Sequence, residues 1–402
     1  MTNRKRDAAI SSLVEAYLQV RCDQTPAPGT LPLATASFGT REVEEAIAAL
    51  LEGQLTMGQR VQAFEKAWAE YVGVRHAIMV NSGSSALLAG WTALVQSGLL
   101  ARGTEVLVPA VGWSTSLFTV AQAGLSPVLI DVDAETLCVE GDYDRPLLAI
   151  HLLGNPSRAT SPLLVEDAAA AHGAMVGVQK VGSRGIFGAF SFFFSHHLTT
   201  GEGGMVTTDD DALADACKSV RAHGWIRGRS DRDHWVADHP HLDDRFLFAN
   251  PGYNLRPLEI AGAFGVHQVP RLEEFVATRR KNHRTWCARI QSMGLPLRVF
   301  PEVPGTRHAG FGFPILLDES ATKRREQVCM ELEQTGISTR PISGANLSRQ
   351  PAFATMQNVR TEGPLPVANA VMERGFFVGQ SHAFGSAQLD HLASALEAIL
   401  GG

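Results

Sequence analysis

The chain has 402 residues, 45% of them apolar and 19% charged, more than one hydrophobic core usually serves, so a large and a smaller domain are expected. A formal net charge of -6 argues against nucleic acid or an anionic membrane as partner, and no apolar run approaches the roughly 20 residues of a membrane-crossing helix. The charged start Met1-Thr-Asn-Arg-Lys-Arg-Asp lacks the apolar segment of a secretory signal, and five scattered cysteines without a C-x-x-C pair point to a reduced cytoplasmic protein without a metal site.

Residues Asp7 to Leu18 read as an amphipathic helix and Thr25-Pro-Ala-Pro-Gly-Thr-Leu-Pro as a connector, together an N-terminal arm. Thr40 to Leu51 and Val61 to Tyr71 are helices, the first opening on a threonine and gathering glutamates in its first turn, where the helix dipole favours them. Strand and helix patterns then alternate. His76–Val80, Glu105–Val108, Pro127–Val132, Leu147–Leu152 and Leu163–Val165 read as strands, Ser84–Leu99 and Ser116–Ala123 as helices. This alternation predicts an α/β fold: a large domain with a mostly parallel sheet sandwiched by helices. The connectors Gly141–Pro146 and Ser157–Pro162 are too short for helices, so one sheet face should lack one or two covers there. Phe190–Phe194 is expected to be a buried strand, because three consecutive phenylalanines cannot all face water. It feeds a polar loop ending Thr199-Thr-Gly-Glu-Gly-Gly, and a strand follows at Met205–Thr208. Helices at Leu258–Val269, Arg271–Ile290, Arg324–Thr335 and Ala387–Ile399, with strands at His308–Leu317 and Ile337–Pro341, predict a smaller α+β C-terminal domain. The expected boundary divides the chain into residues 1–267 and 268–402.

Several groups are able to carry chemistry. Asn81-Ser-Gly-Ser-Ser-Ala lies where a strand enters a helix. It reads either as a serine-capped helix or as an anion cradle at the positive end of the helix dipole. Glu166-Asp167 ends a buried strand, at the edge that faces the ligand crevice in open α/β sheets. Its carboxylate either caps the next helix or meets a cationic ring such as a pyridinium. Trp113 reads as ordinary packing or as a stacking platform. His196 and His197 are adjacent on an extended loop, point opposite ways, and alone indicate neither a metal site nor a triad.

In this order, Asn81–Ala86, Trp113, Pro127-Val-Leu-Ile-Asp-Val-Asp, His151-Leu-Leu-Gly-Asn-Pro, Glu166-Asp167, Ser191–Gly204 and Gly252-Tyr-Asn-Leu-Arg-Pro resemble the DegT/DnrJ/EryC/StrS sugar aminotransferase-like family of fold-type-I pyridoxal-phosphate proteins. The resemblance covers nearly the whole chain. Most of that family has a cofactor-linking lysine five residues after the serine matching Ser191; here that position is His196. Lys180 lies upstream and cannot substitute without a different loop. The lysine-to-histidine exchange resembles the family's nucleotide-linked 4-keto-6-deoxyhexose 3-dehydratases. Gly336-Ile-Ser-Thr-Arg-Pro and Ala345-Asn-Leu-Ser-Arg-Gln-Pro do so too, and the absence of cysteines between Cys217 and Cys287 matches the branch without an iron–sulfur cluster.

The resemblance implies a C3 dehydratase using pyridoxal 5'-phosphate and pyridoxamine 5'-phosphate, with L-glutamate as amino donor and a nucleotide sugar as substrate. His196 would be the acid–base group. Gly83, Ser84, Ser85 and Ser191 would hold the cofactor phosphate, Trp113 would stack on the ring, and Asp167 would keep the ring nitrogen protonated. Asn254 would reach the cofactor of the partner subunit in a homodimer with shared sites, and Arg340 and Asn346 would bind substrate. Ala170, where the family usually has a side chain for the cofactor's phenolic oxygen, is a departure, as are the short connectors. A related enzyme on another keto sugar and a non-catalytic protein of the same fold are the alternative readings.

Overall fold

The computed structural model describes residues 3–21, 26–27 and 29–401; Cys22 and, in the expected connector, Thr25 and Pro28 lie outside the described residues. The large sheet is built from β1 (His76–Val80), β2 (Glu105–Pro109), β3 (Ser126–Ile130), β4 (Leu147–Ile150), β5 (Leu164–Asp167), β6 (Phe187–Ser191) and β7 (Gly204–Thr208). Its order is β1-β7-β6-β5-β4-β2-β3, closed at the last edge by Arg360–Thr361. The pairs β6–β5, β5–β4, β4–β2 and β2–β3 are parallel, whereas β7 runs antiparallel to both β1 and β6. All four residues of both β4 and β5 are buried, as a sheet covered on two faces requires.

The helix Gly83–Gln96 lies on one face of β6, where Trp91 meets Phe187 edge-on at 5.5 Å. Gly90 makes that approach possible, since a Cβ there would come within 2.4 Å of the Phe187 ring. On the other face Phe64 and Trp68 of helix Gln59–Val72 pack with Phe190 and Phe192. The expectation of a strand over Phe190–Phe194 needs correction: β6 ends at Ser191, Phe192 is buried, and Phe193 and Phe194 are 45% and 47% exposed. The chain turns instead, with the Thr200 amide donating to the Phe192 carbonyl and the His196 amide to the Phe193 carbonyl.

Both short connectors are free of α-helix, as expected. They pair with each other, the Tyr143 amide donating to the Thr160 carbonyl and the Thr160 amide to that of Gly141. The core of this region is completed from far along the chain by Ile342, Leu347, Ala368 and Val371. Asp131, just after β3, fixes this: its carboxylate accepts the Val367 and Ala368 amides, at 2.8 and 2.9 Å, in the first turn of helix Pro366–Arg374. A carboxylate at that end of a helix satisfies donors the helix leaves open.

The C-terminal sheet comprises β8 (Leu297–Val299), β9 (Gly312–Leu317), β10 (Thr339–Pro341) and β11 (Gly375–Gly379). Its order is β8-β9-β11-β10, antiparallel throughout. It has its own core around Trp286, Phe313, Phe376, Leu392 and Leu396, into which Leu31 of the N-terminal arm also inserts. The central β11 has no counterpart in the sequence expectations, although Gly375-Phe-Phe-Val-Gly has the apolar run and glycine boundaries of a buried strand. Among the described residues no helix is long and apolar enough to cross a membrane, and no side-chain cluster fits a metal ion.

Candidate active site

Glu166 and Asp167 are consecutive in β5, so they face opposite sides of the sheet, and their surroundings separate their roles. Glu166 is fully buried; its Oε2 accepts the amides of Gly182, Arg184 and Gly185 at 3.0, 2.7 and 3.1 Å. Its Oε1 faces the His151 Nε2 at 3.1 Å. His151 Nδ1 accepts the Ser157 amide, so its Nε2 is the donor to Glu166. Burial opposes ionisation of Glu166, yet these donors and the nearby Arg184 hold its carboxyl below the usual range.

Asp167 is poorer in partners. Ser116 Oγ donates to one carboxylate oxygen at 2.7 Å and the Ala169 amide to the other at 3.2 Å. Burial raises its pKa above the ordinary aspartate value, against the pull of the Ser116 bond. A carboxylate in that state gains from a cationic ring placed against it. Ser116 went unnoticed in the sequence, although its place in the first turn of the helix after Trp113 is a usable signal.

Across the edge, Ser82 caps the helix Gly83–Gln96, its Oγ accepting the Ser85 amide at 3.1 Å and donating to Ser85 Oγ at 3.0 Å. Among the described residues no side chain engages the half-buried Ser84 hydroxyl. A Cβ on Gly83 would come within 2.6 Å of the Ser191 Cβ, and one on Gly204 within 2.2 Å of the Ser82 carbonyl. The result is a close strand–helix approach with hydroxyls at a helix N-terminus, a geometry that fits a phosphate monoester. Trp113 precedes the helix Ser114–Gln122 and is 62% exposed, so its indole face is open to a planar ring. Cradle, indole and aspartate therefore fit pyridoxal phosphate.

The expectation that His196 and His197 point opposite ways on an extended loop needs correction: the chain turns here, and both rings lie against His172 and Phe311. His197 is buried and its Nε2 donates to the Ala309 carbonyl at 3.0 Å, a structural tie. His196 is half-buried, its Nδ1 enclosed without a hydrogen-bond partner, and its ring lies 5.0 Å from Phe311 and 5.9 Å from His172 between ring centres. Enclosure, with the Arg279 cation, pushes its pKa down to about 3. Lys180 is turned elsewhere, its Nζ donating to the Tyr71 carbonyl at 2.5 Å and lying 3.6 Å from Glu273.

The remaining expected residues are scattered. Asn254 is exposed, its Oδ1 accepting Arg256 Nε at 3.0 Å. Arg340 is exposed on β10 and donates to the Thr339 carbonyl beside it. Asn346 is 1% exposed; its Nδ2 donates to Asn369 and its Oδ1 accepts both the amide and the hydroxyl of Ser348. That side chain braces a turn which borders the Trp113 loop, the Gly344 amide donating to the Gly112 carbonyl at 2.8 Å.

An open, mostly parallel sheet with a buried aspartate at its carboxyl edge opposite a glycine-bearing helix N-terminus makes this a fold-type-I pyridoxal-phosphate protein. The chain belongs to the DegT/DnrJ/EryC1/StrS aminotransferase family, which it matches over residues 37–143 and 149–397. It is 33% identical over 388 residues to the GDP-4-keto-6-deoxy-D-mannose 3-dehydratase of Yersinia pseudotuberculosis, covering 91% of this chain and 98% of that one. The E. coli GDP-4-keto-6-deoxy-D-mannose-3-dehydratase with bound hydrated PLP has a TM-score of 0.84 and 30% identity, covering 91% of this chain and 99% of that one. A GDP-4-keto-6-deoxymannose-3-dehydratase structure with a trapped PLP-glutamate geminal diamine has a TM-score of 0.82 and 29% identity, covering 91% and 100%.

Proposed function

We propose that this protein removes the C3 hydroxyl of a GDP-linked 4-keto-6-deoxyhexose, using L-glutamate as amino donor. The observation that carries the reading is an imidazole, and no lysine, five residues beyond Ser191 in the loop that leaves β6. When bound, pyridoxamine phosphate supplies an amine for the sugar's C4 carbonyl and a ring that accepts an electron pair. His196 removes the proton from the carbon bearing that amine and returns one to the departing C3 hydroxyl. Asp167 keeps a proton on the ring nitrogen, oriented by Ser116. Gly83, Ser84, Ser85 and Ser191 bind the phosphate and Trp113 orients the ring. Lysine at position 196 would favour return of the proton to the sugar carbon and amine transfer; histidine favours elimination. The protein acts as a homodimer in the cytoplasm, the exposed Asn254 serving the partner subunit's site and the exposed Arg340 meeting the substrate. Asn346 contributes by bracing the loop beside Trp113, through its bonds to Asn369 and Ser348. Residues 1–267 and 268–402 act as the large and small domains, with Arg360–Thr361 returning to the large sheet and Leu31 to the small domain's core.

The test is incubation of purified protein with pyridoxal phosphate, L-glutamate and GDP-4-keto-6-deoxymannose. Ammonia and a sugar lighter by one oxygen atom are expected, and an amino sugar as main product would overturn the reading. CDP- and dTDP-linked 4-keto sugars run in parallel decide the nucleotide.

A further inference from the structure

Arg279 lies in the helix Leu272–Gln291 and is 1% exposed. Its Nη1 donates to the carbonyls of Gly310 at 3.2 Å and Gln380 at 2.5 Å, and its Nε has no partner. Among the described residues no carboxylate lies within ion-pair distance of it. A buried cation without an anion carries a desolvation penalty that an apolar side chain would avoid.

The guanidinium abuts the segment that backs the catalytic loop. Gly310 has φ +64°, and a Cβ there would come within 3.0 Å of Arg279. On either side of it, the Ala309 carbonyl holds His197, and the Phe311 ring lies 5.0 Å from His196 and 5.9 Å from His197. His172 completes the group, 5.9 Å from His196 and 5.2 Å from His197. His172 and His197 donate their Nε2 hydrogens to the Ser191 and Ala309 carbonyls, which leaves Nδ1 of each without a partner. His172 and Phe311 thus lie against His196, and the Arg279 cation is bound to Gly310, next to Phe311 in the chain.

We propose that Arg279 is a positioning residue for His196: its fixed charge, held behind the histidine cluster through Gly310, keeps His196 unprotonated at rest and makes its imidazolium a strong acid during turnover. The inference rests on His196 being the acid–base group of the proposed reaction. A weakly basic imidazole takes the carbon proton less readily but surrenders it more readily to a leaving hydroxyl, and elimination needs that surrender. The charged and titratable groups acting on the three histidines are one another and Arg279, with burial the largest influence in each case. His382 is lowered to about 4 by burial, Arg279 and Arg271.

The test is a histidine NMR titration of the full-length, cofactor-loaded protein, with the His196 resonance assigned by its loss in His196→Asn. Native His196 is expected to stay neutral well below pH 6. In Arg279→Met its midpoint should rise by about one pH unit, a tenfold change in protonation at fixed pH, while Arg279→Lys stays near native. The acid limb of the kcat profile should move with it. A native midpoint at or above the ordinary histidine value overturns the proposal even if no Arg279 variant folds. So does an unchanged midpoint in a folded Met variant, or an equal rise in the Lys variant, which would assign the effect to packing. None of these NMR results depends on which sugar is dehydrated, so failure of the substrate reading is separable.

Discussion

Gly83 and Ser191 face each other so closely that a Cβ on the glycine would lie 2.6 Å from the serine's. A strand end and a helix start from distant parts of the chain are thereby held in close contact. Gly83→Ala should weaken pyridoxal-phosphate binding at least about tenfold and cost about 1–3 kcal/mol of stability through overpacking. Absorbance titration and thermal melts measure both; native affinity in the folded variant would remove Gly83 from the cradle.

Trp113 offers the opposite combination. At 62% exposed, its truncation has little to disturb in the cofactor-free fold. Trp113→Ala is expected to leave the apo melting temperature nearly unchanged while lowering cofactor affinity by about 1 kcal/mol, with Trp113→Phe recovering most of the loss. A large fall in apo stability would mean that the indole packs rather than stacks.

Glu166→Gln should be structural in its effect. The amide would set its own N–H₂ against either the three backbone amides or the His151 donor, at a cost of about 2–4 kcal/mol at pH 7. The native carboxyl pKa lies below the ordinary glutamate value, so its stabilising contribution is full above about pH 4.5 and is lost as pH falls through the native pKa. Denaturant melts of the two proteins should converge in acid, and a pH-independent difference would contradict the assignment.

His196→Lys restores the amine that the family's aminotransferases carry. Dehydration should fall by at least about 100-fold, the usual size of a lost acid–base group. Borohydride should now attach pyridoxal phosphate covalently, which it is expected not to do in the native protein. Unchanged ammonia release would exclude His196 from the chemistry.

Shared sites predict complementation. Mixed dimers of His196→Asn and Asn254→Ala subunits contain one site with both residues intact. Random mixing of the two weak variants should therefore recover about a quarter of native activity. Recovery no greater than the sum of the separate variants would mean that Asn254 serves its own subunit.

Much of this site is local in the chain and so legible without a structure. Buried strands announce themselves by continuous apolar runs bounded by glycine and polar residues, which places Asp167 at a strand end and the Ser82–Ser85 turn at a helix start. The histidine at position 196 stands out through the family resemblance, which implies a lysine five residues after Ser191. The two helix-free connectors follow from their length alone.

Other features depend on segments that meet only when the chain folds. Apolar composition says that Phe192, Phe193 and Phe194 prefer burial, but where the strand ends is set by the Thr200 and His196 amides turning the loop, so two of the three remain open. The difference between His196 and His197 comes from Ala309, brought by the approach to β9, and the field on both comes from Arg279 on a third segment. The burial of Asn346 and its bond to Asn369 likewise appear only in the fold. The family resemblance identifies the cofactor loop and its departure from lysine. The burial, donors and charge that give those residues their chemistry exist only in the packed molecule.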